Sequence, residues 1–178
     1  VYQGLRNSYE RIDGPRALSP KAKDFREPGL LSNAWAKGHR LGVIASSDHV
    51  STHTSYAFVY TPSAGRQDLL DSIKSRHTYG ATDNILLDCR AGEHLMGDQF
   101  SSREPVAIRV MAHGTGAISR VSVIKDNLVV YAAEPKSAEV DLTYRDNIPV
   151  RGKSFYYVRL EQADGELAWS SPFWVREK

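Results

Sequence analysis

Residues 41–53 read LGVIASSDHVSTH, an apolar run that stops at a carboxylate, with one imidazole beside it and another four residues further on. Gly42, Val43, Ile44 and Ala45 show no polar alternation, which is the pattern of a strand covered on both faces in a parallel sheet. Parallel α/β folds carry their chemistry at the C-terminal ends of strands, so this reading delivers Asp48, His49 and His53 to such an end. Carboxylate and imidazole are ligand types for zinc, manganese or iron. A plainer reading stands beside it. Ser46, Ser47 and Asp48 also suit a helix cap or a closed turn, and three candidates within six residues rarely complete a metal shell.

Outward from this run the first half reads as α/β. Residues 30–38, LLSNAWAKG, place Leu30, Leu31, Ala34 and Trp35 at helical spacing and end on Gly38, a left-handed C-terminal cap. YAFVY over residues 56–60 is aromatic and β-branched like a strand, and Pro62 with Gly65 marks a turn. In RQDLLDSIKSRHTYG, Leu69, Leu70 and Ile73 share a helical face, Gly80 is available to stop the helix, and Arg76 with His77 suits the negative end of its dipole. Residues 1–29 are mostly polar and punctuated by Gly14-Pro15, Ser19-Pro20 and Pro28-Gly29.

Beyond Thr82 the helical period disappears, and short strands recur with turns at Ala91-Gly92, Gly114-Thr115-Gly116, Asp126-Asn127 and Asp164-Gly165. Asp164-Gly165 is the stronger hairpin signal, read as a type I′ turn, and Asp126-Asn127 the weaker. Alternation in FYYVRL is what a two-sheet sandwich requires. The expected organisation is therefore an α/β portion over residues 1–83 followed by a β-sandwich over residues 84–178. Tyr156, Tyr157, Trp169, Phe173 and Trp174 read as core rather than as a carbohydrate platform.

The 23 basic and 21 acidic residues leave a net charge of +2 with no basic stripe, so nothing asks for nucleic acid. The single cysteine, Cys89, excludes an intrachain disulfide and reads as a buried, inert thiol. No apolar stretch approaches the roughly 20 residues that span a bilayer, so the expectation is a soluble chain without a membrane partner. Its opening residues lack an initiator methionine and a signal peptide, which reads as a piece of something longer.

Four segments carry a family comparison. VYQGLRNSYE with GPR, GVIASSDHVSTHTSYA, RHTYGATDNILLD and YYVRLEQADGELAWSSPFWV follow in an order that resembles the C-terminal part of domain of unknown function 3604 proteins. These belong to the polymerase and histidinol phosphatase (PHP) superfamily of metal-dependent phosphoesterases. The resemblance implies the C-terminal part of a (β/α) PHP-like barrel followed by a small β-domain. It also implies divalent metal, zinc or manganese, and hydrolysis of a small phosphorylated substrate. The superfamily's late metal motif, Ser-Asp-any-His, is matched at Ser47-Asp48. His49 stands one place early, Val50 occupies the expected position, and His53 is the other imidazole able to take that place. The VYQG segment puts Gln3, Arg6 and Glu10 near the same mouth, with Gln3 and Arg6 as substrate-binding candidates. Arg6 would hold an anion with its planar fork, or simply pair with Glu10. Most metal ligands of the superfamily belong to the first half of the barrel. The implied partner is that missing N-terminal part, and this chain alone is expected to be silent and to require no metal. The competing expectation is a non-catalytic β-sandwich module that binds or packs against a partner, with Asp48 capping a turn.

Overall fold

The structure, a computed structural model, describes residues 1–4, 7–23, 25–49 and 53–178. In chain order the strands are β1 (Tyr2–Gln3), β2 (Asn7–Ser8), β3 (Ala45–Ser46), β4 (Tyr56–Val59), β5 (Thr78–Ala81), β6 (Leu86–Ala91) and β7 (His94–Leu95). They continue with β8 (Gln99–Ser102), β9 (Ala107–Lys125), β10 (Leu128–Ala133), β11 (Ser137–Arg145), β12 (Lys153–Gln162), β13 (Leu167–Ser170) and β14 (Phe173–Glu177). Helices α1 (Leu31–Ala36) and α2 (Arg66–Lys74) both precede β5. None of the described helices is long and apolar enough to cross a membrane.

The strand β9 organises this arrangement. Its first part pairs with β6 on one edge and β11 on the other, and its last part pairs with β12 and β10. Between the two lies Gly114-Thr115-Gly116, which the sequence offers as a turn. The glycines instead let one 19-residue strand bend without ending. The result is a curled sheet of 11 strands along the path β4-β5-β13-β12-β9-β6-β7, with β10, β11, β14 and β8 attached. A three-stranded sheet, β2-β1-β3, sits beside it.

This overturns the expected fold class. Residues 1–83 do not build part of a (β/α) barrel, and residues 84–178 do not form a separate two-sheet sandwich. Strands β4 and β5 join β13 in antiparallel pairs, so the position expected as a boundary, residues 83–84, falls between two strands of one sheet. Among the described residues of the small sheet only β1 and β3 run parallel, over two residues each. The reason lies in burial. Val43 and Ala45 are 1% and 3% exposed, but Leu41 and Ile44 are 46% and 51% exposed. The run covers one face, not two, and its assigned strand is confined to Ala45–Ser46. Helix α2 forms where its period predicts, yet Leu69, Leu70 and Ile73 remain exposed. Gly80 does not stop it. Arg76 takes the left-handed conformation at φ 63°, while Gly80 lies in β5, where a Cβ would stand 2.6 Å from the backbone nitrogen of Ala45.

Two apolar clusters lie on opposite faces of the large sheet, and β12 shows how. Tyr156, Val158 and Leu160 point into the curl with Ile108, Val110 and Val123. Phe155 and Tyr157 point the other way, onto Tyr2, Trp35, Val43 and Ala45. Alternate side chains of a strand face opposite sides, and here both sides are covered. Burying an aromatic side chain contributes about 2–3 kcal/mol, so Trp35 against Tyr157, with ring centroids 4.9 Å apart, is a substantial tie between α1 and the sheet. All five aromatics expected as core are buried.

Both hairpin signals mark turns, but the type I′ reading of Asp164-Gly165 does not hold. Gly165 has φ +90° and donates its N–H to Gln162 O at 3.0 Å, but Asp164 has no positive φ, so the β12–β13 turn carries one left-handed residue and is not type I′. Asp126 and Asn127 both do, at 48° and 68°, as the tight turn between β9 and β10 requires.

Candidate functional site

The parallel pair β1 and β3 ends on one side in Gln3 and Ser46, with Asp48 two residues beyond. Gly4 donates its N–H to Ser46 O at 2.9 Å, and a Cβ at Gly4 would lie 2.7 Å from Ser47 O, so glycine permits this close approach. The buried Ser47 hydroxyl donates to Ser55 O at 2.9 Å and accepts the N–H groups of Thr54 and Ser55, both at 3.0 Å. It therefore staples the loop that follows Asp48, which is the turn-closing role open to a serine there.

Asp48 stands at the start of that loop in the left-handed conformation, φ 62°, which aspartate tolerates better than most residues with a Cβ. Gln3 Nε2 donates to its Oδ2 at 2.7 Å. Its Oδ1 accepts the His49 backbone N–H at 2.8 Å and lies 2.7 Å from His49 Nδ1. An ionised carboxylate only accepts, so Nδ1 is the donor in this contact, and in the neutral ring Nε2 is the nitrogen left as acceptor. The imidazole is 84% exposed and the Asp48 side chain 19%, so the ring is oriented from behind and open in front. This is the carboxylate–histidine arrangement by which proteins orient a ligand or a base.

The structure thus brings together Gln3, Asp48 and His49. His53 lies exposed on the return of the loop, its carbonyl accepting from Tyr56 Oη at 3.4 Å. Arg6 lies outside the described residues. Asp48 and His49 offer two ligand side chains, fewer than the three of a catalytic zinc site, and among the described residues no three His, Cys, Asp or Glu side chains are grouped to hold a metal ion. The described residues do not fit a metal by themselves.

Glu10 is not at this mouth. It is fully buried and accepts from Tyr157 Oη at 2.7 Å, from Trp169 Nε1 at 2.8 Å, and from Arg159 Nη1 at 2.8 Å and 3.1 Å on its two oxygens. Burial, then the neighbouring carboxylate, pushes the Tyr157 phenol far above its ordinary range. Sequence reasoning missed this network. Its one local signal was an arginine within the otherwise apolar FYYVRL. Cys89 is fully buried, and burial raises its thiol well above the ordinary value, which keeps it protonated and inert. His77 Nε2 lies 2.8 Å from Asp98 Oδ1, a pairing that accounts for this histidine without a ligand.

No family model matches the sequence. The chain is 31% identical over 187 residues to an uncharacterised protein of Chlamydia pneumoniae, a match that covers 87% of this chain and 30% of the relative. An uncharacterised protein of Chlamydia muridarum is 25% identical, with 62% of this chain and 21% of the relative covered. The chain therefore spans less than a third of the length of these curated relatives. Among solved structures, an engineered protein aligns over 51% of this chain with 16% identity and a TM-score of 0.33, too slight a likeness to carry an argument.

Proposed function

We propose that this chain supplies the Gln3, Asp48 and His49 relay to a metal-dependent phosphoester hydrolase whose remaining ligands lie in sequence outside these 178 residues. The observation that supports it most is the 2.7 Å contact of Asp48 Oδ1 with His49 Nδ1, backed by Gln3 on the other oxygen. In the neutral ring this contact puts the proton on Nδ1 and leaves Nε2 as the nitrogen that would bind zinc or manganese. Gln3 restrains the carboxylate, and the Ser47 staple restrains the backbone behind it. The substrate class, a small phosphorylated compound, rests on the resemblance to the PHP superfamily. The relatives are about three to five times as long as the stretch they share with this chain, which is consistent with further ligands elsewhere.

The test uses the polypeptide encoded by the whole reading frame. Elemental analysis is expected to find a bound divalent metal that is lost in Asp48→Ala and His49→Gln, together with hydrolysis of p-nitrophenyl phosphate. A metal-free wild-type protein, or metal content untouched by both substitutions, would sink the proposal. A second reading is a non-catalytic β-rich module in which Asp48 closes a turn, supported by its left-handed φ of 62° and by the Ser47 hydroxyl that ties the same loop to Thr54 and Ser55. It predicts that Asp48→Ala lowers stability without changing metal content.

A further inference from the structure

At the far end of the aromatic face, where α1 overhangs β12 and β14, lies a cleft of about 440 Å³ floored by Trp35, Phe155 and Trp174. That volume is in the range of small-molecule sites. Lys153 and Arg176 stand at its rim, directly opposite one another across the β12–β14 pair, two residues beyond Phe155 and Trp174 and therefore on the same face. Like charges directly opposite in an antiparallel pair repel. Among the described residues neither has an acidic partner, and Arg40, the third cation of the lining, bonds the neutral amide of Gln99. Asp126 is the one acid in the lining, and its Oδ1 is taken by the Phe155 N–H at 2.9 Å. Arg76 is outside the lining; its guanidinium carbon lies 5.4 Å from the centre of the Trp174 ring, and it donates to Gly97 O and Lys74 O. Two of the three buried polar side-chain atoms that lack a partner among the described residues, Trp174 Nε1 and Asn127 Oδ1, belong to residues lining this cleft.

Two facing cations without an acidic partner, at the rim of an aromatic floor, describe a ligand with the opposite attributes. We propose that the cleft binds a small organic anion, a flat apolar ring bearing a phosphate or carboxylate. The ring stacks on Trp174 and Phe155, and the anionic group sits between Lys153 and Arg176, where it relieves their mutual repulsion. A planar guanidinium at Arg176 suits either anion.

Calorimetric titration of the protein with phenyl phosphate, benzoate and inorganic phosphate tests this. Saturable one-to-one binding of phenyl phosphate or benzoate is expected, with inorganic phosphate at least tenfold weaker, and the better of the two aromatic ligands identifies the anion. The Lys153→Gln, Arg176→Gln double variant should bind at least tenfold more weakly, and Arg145→Gln, an exposed cation on β11, should bind as wild type. Without ligand, Lys153→Gln should raise the melting temperature, and saturating ligand should erase that advantage. Absence of saturable binding to both aromatic anions, equal affinity in the double variant, or inorganic phosphate binding as tightly as phenyl phosphate would overturn the proposal.

Discussion

Glu10→Ala tests how the small sheet is held to the large one. The carboxylate is 0% exposed and takes hydrogen bonds from three side chains of β12 and β13. Its removal leaves Arg159, 7% exposed, with Glu161 at 3.2 Å as its remaining carboxylate, and strips the acceptor from Tyr157 and Trp169. Breaking a buried pair from one side costs about 3–5 kcal/mol, because the surviving charge stays desolvated. Each orphaned donor would add about 1–3 kcal/mol if nothing replaced its partner. Glu161 and water entering the vacated space offset part of this, so the expected loss is about 4 kcal/mol. For a chain of this length it corresponds to a fall in melting temperature of roughly 8–16 °C. Urea unfolding followed by far-ultraviolet circular dichroism measures it. The Glu10→Leu, Arg159→Met double variant removes both charges together and should lose less than Glu10→Ala alone. A loss under about 1 kcal/mol in the single variant, or a double variant as unstable as the sum of its parts, would refute the reasoning.

Three further outcomes are expected. Gly80→Ala places a Cβ 2.6 Å from Ala45 N and 2.7 Å from Ile44 C, backbone that cannot step aside, and should cost about 2 kcal/mol in urea unfolding; an unshifted midpoint would show that β5 and β3 can separate freely. Gly165→Val forces a β-branched residue to φ +90° and should cost roughly 1 kcal/mol or more, visible as a lower melting temperature. Burial pushes Tyr79 up to about 12 and raises Tyr156 and Tyr157 further. The folded chain keeps these protons where the unfolded chain, near pKa 10, releases them. Stability should therefore hold up to about pH 10 and decline above it, and Tyr157→Phe should make the decline shallower; a flat profile to pH 12 would contradict the burial described.

What was legible in the sequence was local. Gly38 closes α1, donating to Trp35 O at 2.8 Å with φ +87°, and the Asp164-Gly165 hairpin brings Arg159 opposite Trp169. Both rest on a few neighbouring residues whose backbone preferences decide the outcome. Gln3 and Asp48 are 45 residues apart and hydrogen-bond at 2.7 Å; no local pattern joined them, and only the resemblance of VYQG to a superfamily strand end suggested a common mouth. Pairings without a local signature were not legible. Strands β4 and β5 have the composition of any strand, and whether they continue a parallel sheet or turn back onto β13 is settled by partners some 90 residues away. Apolar residues at 41 and 44 looked like evidence of a second covered face, but exposure is not forbidden to a leucine or isoleucine. Glu10 read as the neighbour of Arg6, because nothing nearby announces a partner 149 residues downstream.

That separation has a consequence in time. A ribosome adds about 5–20 residues per second, so after Glu10 is made, on the order of 10 s passes before Arg159 and Trp169 emerge. For most of that interval Tyr2, Trp35 and Val43 lack the face of the large sheet that covers them, since it comes from Ile124 and later residues. The segment around Glu10 is therefore among the last of these 178 residues to be secured, and a nascent chain that stalls before residue 159 is one that shows its aromatic residues to whatever chaperone or protease is near.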